Sequence, residues 1–220
     1  MKKIFTLFAA VAMAAGLHAQ TISWDADSKL ASTFESGNLV LTLVDENDKM
    51  AIDANNAYFG TETANTKYTH RLKSGGKSSS KNMMTLTIPA AGTLKVAART
   101  GNNSATDRNL VLTQDGTEIF NEIMLESNAL KVKGLDAEDP EKETNVYPYV
   151  SVAVTAGDVV VTYPTNSINF YAFILEAGDA HIGNVTVDAT DTVLYNLAGQ
   201  KVDAAFKGIA VMKGKKVVMK

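Results

Sequence analysis

Residues 84–99 read Met84-Thr85-Leu86-Thr87-Ile88-Pro89-Ala90-Ala91-Gly92-Thr93-Leu94-Lys95-Val96-Ala97-Ala98-Arg99. Met84, Leu86 and Ile88 alternate with Thr85 and Thr87; Leu94, Val96 and Ala98 alternate with Lys95, Ala97 and Arg99. A period of two belongs to the β-strand, whose successive side chains leave opposite faces. Ala91-Gly92 marks a turn between the two runs. The pattern recurs outward along the chain in Leu39, Leu41 and Leu43, in Leu110 and Leu112, in Val150, Val152 and Val154, and in Val159, Val161 and Tyr163. Asp115-Gly116, Ala156-Gly157-Asp158 and Pro164-Thr165-Asn166 supply further turns. Ile168-Asn169-Phe170-Tyr171-Ala172-Phe173-Ile174-Leu175 is apolar on both faces and predicts a central, covered strand. Residues 118–125 predict a short helix or an irregular strand; no long stretch has the 3.6-residue period. Short strands and turns without intervening helices predict an all-β, antiparallel, jelly-roll-like sandwich over residues 20–180.

The chain has 220 residues, 45% of them apolar, enough for one core and a small appendage. Cysteine is absent, which excludes disulfides, a thiol nucleophile and a thiolate metal site. Histidine occurs only at positions 18, 70 and 181, so a His-rich metal centre is excluded. No Gly-x-Ser-x-Gly, P-loop or His-Glu-x-x-His motif is present. Asp45-Glu46-Asn47-Asp48 and residues 136–143 offer oxygen ligands of the kind Ca²⁺ takes. Neither has the spacing of a Ca²⁺-binding EF-hand loop, so solvated loops and no cofactor are expected. Gly75-Gly76-Lys77-Ser78-Ser79-Ser80 predicts a second, flexible loop.

The N-terminus has the three parts of a secretory signal peptide over residues 1–19. These are Lys2-Lys3, an apolar run over residues 4–16, and Leu17-His18-Ala19 before Gln20. The run is short for a hydrocarbon core of ~30 Å, and no later segment reaches the length of a transmembrane helix. Cleavage takes the 21 basic residues to 19 against 24 acidic ones, a net charge of −5. A mildly acidic chain has no general attraction for nucleic acid or anionic membranes.

The C-terminus carries Tyr195-Asn196-Leu197-Ala198-Gly199-Gln200-Lys201-Val202, then Lys207-Gly208-Ile209, then Gly214-Lys215-Lys216-Val217-Val218. Period-two runs and turn glycines predict three short strands here. Residues 184–220 hold six lysines and three aspartates, opposite in charge to the body. The ordered blocks resemble the C-terminal sorting domain of the type IX secretion system of Bacteroidetes, although Ala210 stands where that family usually has tyrosine. The resemblance implies that Tyr195, Leu197, Gly199, Val202, Lys207, Gly208, Gly214, Lys215 and Lys216 form the sorting motif. It also implies that the secretion machinery is a partner and that the protein is secreted or displayed on the outer cell surface. The other reading is a terminal β-meander that completes the body's sheet.

Within the body, Trp24-Asp25, Tyr68-Thr69-His70-Arg71-Leu72-Lys73-Ser74-Gly75-Gly76, Gly92-Thr93-Leu94-Lys95-Val96, Asp107-Arg108 and Asn169-Phe170-Tyr171-Ala172-Phe173 occur in that order. This series resembles the β-sandwich modules found beside pectate lyases and other polysaccharide-degrading enzymes in gut Bacteroidetes. The resemblance implies non-catalytic carbohydrate binding, with acidic plant polysaccharide as a ligand class. Arginine grips carboxylates through a planar fork, which nominates Arg71, Lys73, Arg99 and Arg108. Arg71 and Lys73 share a strand face with Leu72 turned to the core, beside the Gly75-Gly76 turn. A hairpin would bring Arg99 and Arg108 together. Solvated strand charges, or an Arg108–Asp107 pair, are the alternatives. Tyr68, Tyr171 and Trp24 are candidate sugar platforms, Trp24 equally a plug for the sandwich end. A structural or adhesive envelope protein and a small lyase or hydrolase are the competing functions, since fold does not choose among them. In a host with type IX machinery, the chain lacking residues 184–220 should accumulate in the periplasm. Equal surface or medium levels with and without the tail, measured by fractionation, would contradict that role.

Overall fold

The computed structural model describes residues 19–177 and, beyond them, four strands of the C-terminal segment. All of the signal-peptide segment except Ala19 lies outside the described residues, as do Leu197, Gly199, Lys207 and Gly214 of the sorting motif.

The body is nearly all strand, formed where the sequence alternates. Its strands are β1 (Gln20–Ser23), β2 (Thr33–Ser36), β3 (Leu39–Asp45), β4 (Ala51–Gly60), β5 (Asn65–Lys73), β6 (Asn82–Ile88) and β7 (Gly92–Thr100). They continue as β8 (Asn109–Gln114), β9 (Thr117–Ile123), β10 (Leu130–Val132), β11 (Thr144–Tyr147), β12 (Val150–Val154), β13 (Gly157–Thr162) and β14 (Ile168–Ala177). The first sheet runs β10-β11-β4-β5-β14-β7-β12, with β1 also paired to β14. The second runs β2-β3-β6-β13-β8-β9. All pairings are antiparallel except β11 with β4. Residues 118–125, open between helix and strand in the sequence, contribute most of β9, which carries a register shift opposite Leu112 and Thr113.

Most connections change sheet. β6 and β7, the two runs that reveal the strand period, lie in different sheets, and Ala91-Gly92 ends the crossing, Gly92 being the first residue of β7. Each therefore sends its apolar set into the space between the sheets, where Met84, Leu86, Leu94 and Val96 are fully buried. This is the jelly-roll-like way of closing a sandwich around one core. Asp115-Gly116 does make a tight hairpin: β8 and β9 pair directly across it, with both residues at positive φ, as a type I′ turn requires.

β14 is the central strand expected from its two-sided apolarity. β7 borders one edge; β5 and then β1 share the other. Phe170 and Phe173 point into the core and stack with ring centroids 5.5 Å apart. Trp24 packs edge-on against Phe34 and Phe173 at 5.9 and 6.4 Å.

Two buried polar devices hold the crossings. The Gln114 side-chain amide donates to the Thr155 carbonyl and accepts from the Thr155 N–H, standing in for a neighbouring strand. Asn82 donates to the Ser74 carbonyl and accepts from the Tyr163 hydroxyl at 2.7 Å, while Ser74 Oγ accepts from the Ile168 N–H. The loop expected to be flexible at residues 75–80 is thereby tied down. At Gly75, φ is +68° and a Cβ would come 1.9 Å from the Lys49 carbonyl oxygen.

The C-terminal segment, from Ala180, forms a separate compact unit. Its strands are β15 (Leu194–Asn196), β16 (Lys201–Val202), β17 (Gly208–Met212) and β18 (Lys215–Met219), four where three were expected. They pair antiparallel in the order β16-β15-β17-β18. Tyr195, Val202, Gly208, Lys215 and Lys216 fall on these strands.

Tyr163→Phe should lower stability by about 1–3 kcal/mol, because it leaves the Asn82 oxygen buried without its donor. Urea unfolding should show a lower midpoint with an unchanged slope; an unchanged midpoint would remove the Asn82 device from the account.

Candidate functional site

The site is built where β14 bulges. Phe170 pairs with Ala98 and Ala172 with Ala97, so Tyr171 is an extra residue. Tyr171 and Ala172 consequently both leave the inter-sheet core and join a second apolar cluster with Ala57, Phe59, Ala97 and Tyr147. β4 carries its own shift: between Ala54 and Ala57 it spends one residue more than β5, and Asn55 lies in that bulge. The Tyr171 hydroxyl donates to Asn55 Oδ1 at 2.5 Å.

Arg99 joins these elements. Its Nε donates to the Tyr171 hydroxyl at 3.1 Å and its Nη1 to the Tyr147 hydroxyl at 2.6 Å, with its guanidinium over the Tyr147 ring. Nη1 also lies 3.6 Å from Glu126 Oε2. Glu126 Oε1 accepts from the Tyr147 hydroxyl at 2.6 Å and from Asn145 Nδ2 at 2.7 Å. Burial opposes the charge of Arg99, but the two tyrosine oxygens outweigh it and raise the guanidinium's pKa further. Burial and the bond to Glu126 push the Tyr147 hydroxyl up, so it stays protonated at neutral pH.

Arg99, Glu126 and Tyr147 of this network line a polar cleft of about 730 Å³. Asn56, Tyr58, Lys67, Asn103, Lys131 and Asn145 line it as well, together with residues 135–138 and 142–144 of the acidic loop. That loop, expected to be only solvated, is held by Lys142 on Asp136, by Lys133 on Glu141, and by the Tyr58 hydroxyl donating to the Leu135 carbonyl. Among the lining residues, four cations (Lys67, Arg99, Lys131 and Lys142) face four anions (Glu126, Asp136, Glu138 and Glu143).

The residues nominated from sequence have separate fates. Arg71 and Lys73 share a face and flank the fully buried Leu72, as expected. Both grip one carboxylate: Arg71 Nε lies 2.8 Å and Lys73 Nζ 2.9 Å from Asp53. Beside them, the space at Gly75 is filled by Lys49 of the chain itself. Arg99 and Arg108 are not brought together by a hairpin, because β7 and β8 belong to different sheets. Arg108 pairs with neither Arg99's network nor Asp107. Its Nη1 donates to the carbonyl and hydroxyl of Ser167, in a space only a glycine at 101 leaves open. Trp24 is 4% exposed and presents no face to a ligand. Tyr171 is fully buried, its hydroxyl serving the network.

Strict alternation would set Tyr68 with Leu72 in the main core. It packs instead against Phe59 and Tyr171, 3.0 Å from the Tyr149 hydroxyl, and burial with that contact pushes its own hydroxyl pKa up. β5 pairs with β14 only at Leu72 and Lys73, which frees its first half to cover the outer face.

Asn55, Asn56 and Glu126 are not among the residues nominated from sequence. The Asn55-Asn56 doublet inside an apolar strand was a readable bulge signal, since asparagine is depleted from regular strands. Glu126 had none. Among the described residues no group of His, Asp or Glu is arranged to hold a metal ion, and no helix is long and apolar enough to cross a membrane. Asp45, one of the Ca²⁺ candidates, accepts from the Lys49 and Met50 N–H groups to close its turn. The chain matches no protein-family profile and no curated protein sequence.

Burial works to raise the Asp53 pKa, but hydrogen bonds and charge from Arg71 and Lys73 prevail and hold it below the usual carboxylate range. A depressed folded-state pKa contributes stability above the unfolded value of about 3.9, and that contribution is lost as pH falls through the folded one. Asp53→Asn should therefore flatten the loss of stability on acidification below about pH 4, read as melting temperature against pH. An unchanged acid limb would show the ion pairs to be inert.

Proposed function

We propose that the body is a non-catalytic carbohydrate-binding module of an exported protein. The observation that carries the reading is the polar cleft floored by Arg99, Glu126, Tyr147 and Asn145. Its volume falls in the range of small-ligand sites, ~300–1,000 Å³. Its walls offer side-chain amides, carboxylates and ammonium groups, the mixed donors and acceptors that hydroxyl-rich rings require. Tyr147 is held protonated and Glu126 is engaged by two donors, which supports binding rather than acid–base turnover. The sorting-like tail supports delivery by secretion machinery to the medium or the outer surface. A protein-binding, adhesive role is the second reading: β10 ends the first sheet, and its Leu130 is 49% exposed.

A glycan array probed with the full chain tests the proposal. Asn56→Ala and Asn103→Ala should each weaken binding about three- to ten-fold, the worth of one hydrogen bond. Loss of binding in Arg71→Ala with no effect at Asn56 would move the site to the β5 face. No binding to any glycan would favour the adhesive role.

A further inference from the structure

We infer that Glu126 determines the specificity of the cleft, turning away carboxylated sugars and reserving it for neutral glycans. The inference rests on the carbohydrate-binding reading and narrows its ligand class. Glu126 stands in the one helical turn among the described residues (Glu126–Asn128), where the chain passes from the second sheet to the first. From there its carboxylate reaches the floor of the cleft. Oε1 is held by Tyr147 and Asn145, and Oε2 lies against Arg99.

Arg99 is the one cation of the cleft floor, and its charge is already matched by Glu126. The other lining cations are also engaged. Lys131 donates to Asn145, Lys142 to Asp136, and Lys67 lies over the Tyr58 ring. Lys67 and Lys131 have no carboxylate partner, but Glu138 and Glu143 share the lining with them. At the floor a ligand carboxylate finds the charge of Arg99 already cancelled and comes up against the Glu126 carboxylate in a partly desolvated site. A hydroxyl meets no such penalty, because it both donates to a carboxylate and accepts from an amide or ammonium. The four basic residues that made an acidic polysaccharide attractive are the same ones bound to Asp53, Ser167 or this network.

The test uses polygalacturonate and glucuronan, each beside its carboxyl-reduced form, in which the same polymer carries CH₂OH in place of the carboxylate. Titration calorimetry measures all four against the unmodified chain and Glu126→Gln, with melting curves to establish that the variant is folded. The unmodified chain should bind at least one reduced polymer about ten-fold or more tighter than its acidic parent. Glu126→Gln should shrink that ratio at least about five-fold, through gain on the acidic polymer. Equal affinity for parent and reduced forms in the unmodified chain would overturn the inference, even if the variant fails to fold. So would a folded Glu126→Gln with an unchanged ratio; either result leaves carbohydrate binding standing. Absence of binding to all four polymers and to every glycan of the array would remove both.

Discussion

The bulge at Tyr171 governs more of this molecule than any other single feature. Up to Phe170, β14 is an ordinary central strand between β5 and β7. One extra residue turns Tyr171 and Ala172 together onto the outer face. Beyond it β1 replaces β5 on the free edge, and the first half of β5 leaves with β4. Phe59 and Tyr68 can then pack on Tyr171, building a second apolar cluster outside the sandwich core. A flat strand would have left this face to solvent.

The second cluster in turn makes a buried arginine tolerable. Arg99 sits on an otherwise regular strand, yet it is only 14% exposed. Isolated burial of a guanidinium is costly, and the cost falls when its donors are all directed. Tyr171, Tyr147 and Asn55 provide oxygens from three different strands, and Glu126 provides the opposite charge from the turn between the sheets. The network thus ties β4, β7, β11 and β14 to one point and fixes the floor of the cleft. Its polarity is a property of shape as much as composition, because Tyr171 and Asn55 were placed by bulges and Glu126 by the turn between the sheets.

The same economy of charge runs over the outer face. Arg71 and Lys73 share Asp53, Lys95 meets Glu176, and Lys142 closes on Asp136. Exposed pairs of this kind contribute little stability each. Their larger effect is on recognition: no cluster of unmatched cations stands among the nominated residues.

Alternation and turn chemistry by themselves determined the all-β class, the inward sets of β3, β6, β7, β8 and β13, the central place of residues 168–175 and the tight turn at Asp115-Gly116, because these depend on periods of two and on the dihedral needs of neighbouring residues. They determined equally that Arg71 and Lys73 share a face. The tertiary structure alone decided that β6, β7 and β8 change sheets, that Arg108 meets Ser167, and that Trp24 and Tyr171 are buried. It alone brought Glu126 to Arg99. Pairing partners far apart in sequence, and a one-residue bulge that reverses every facing beyond it, leave no periodic trace in the chain; they emerge only when the sheets close on one core.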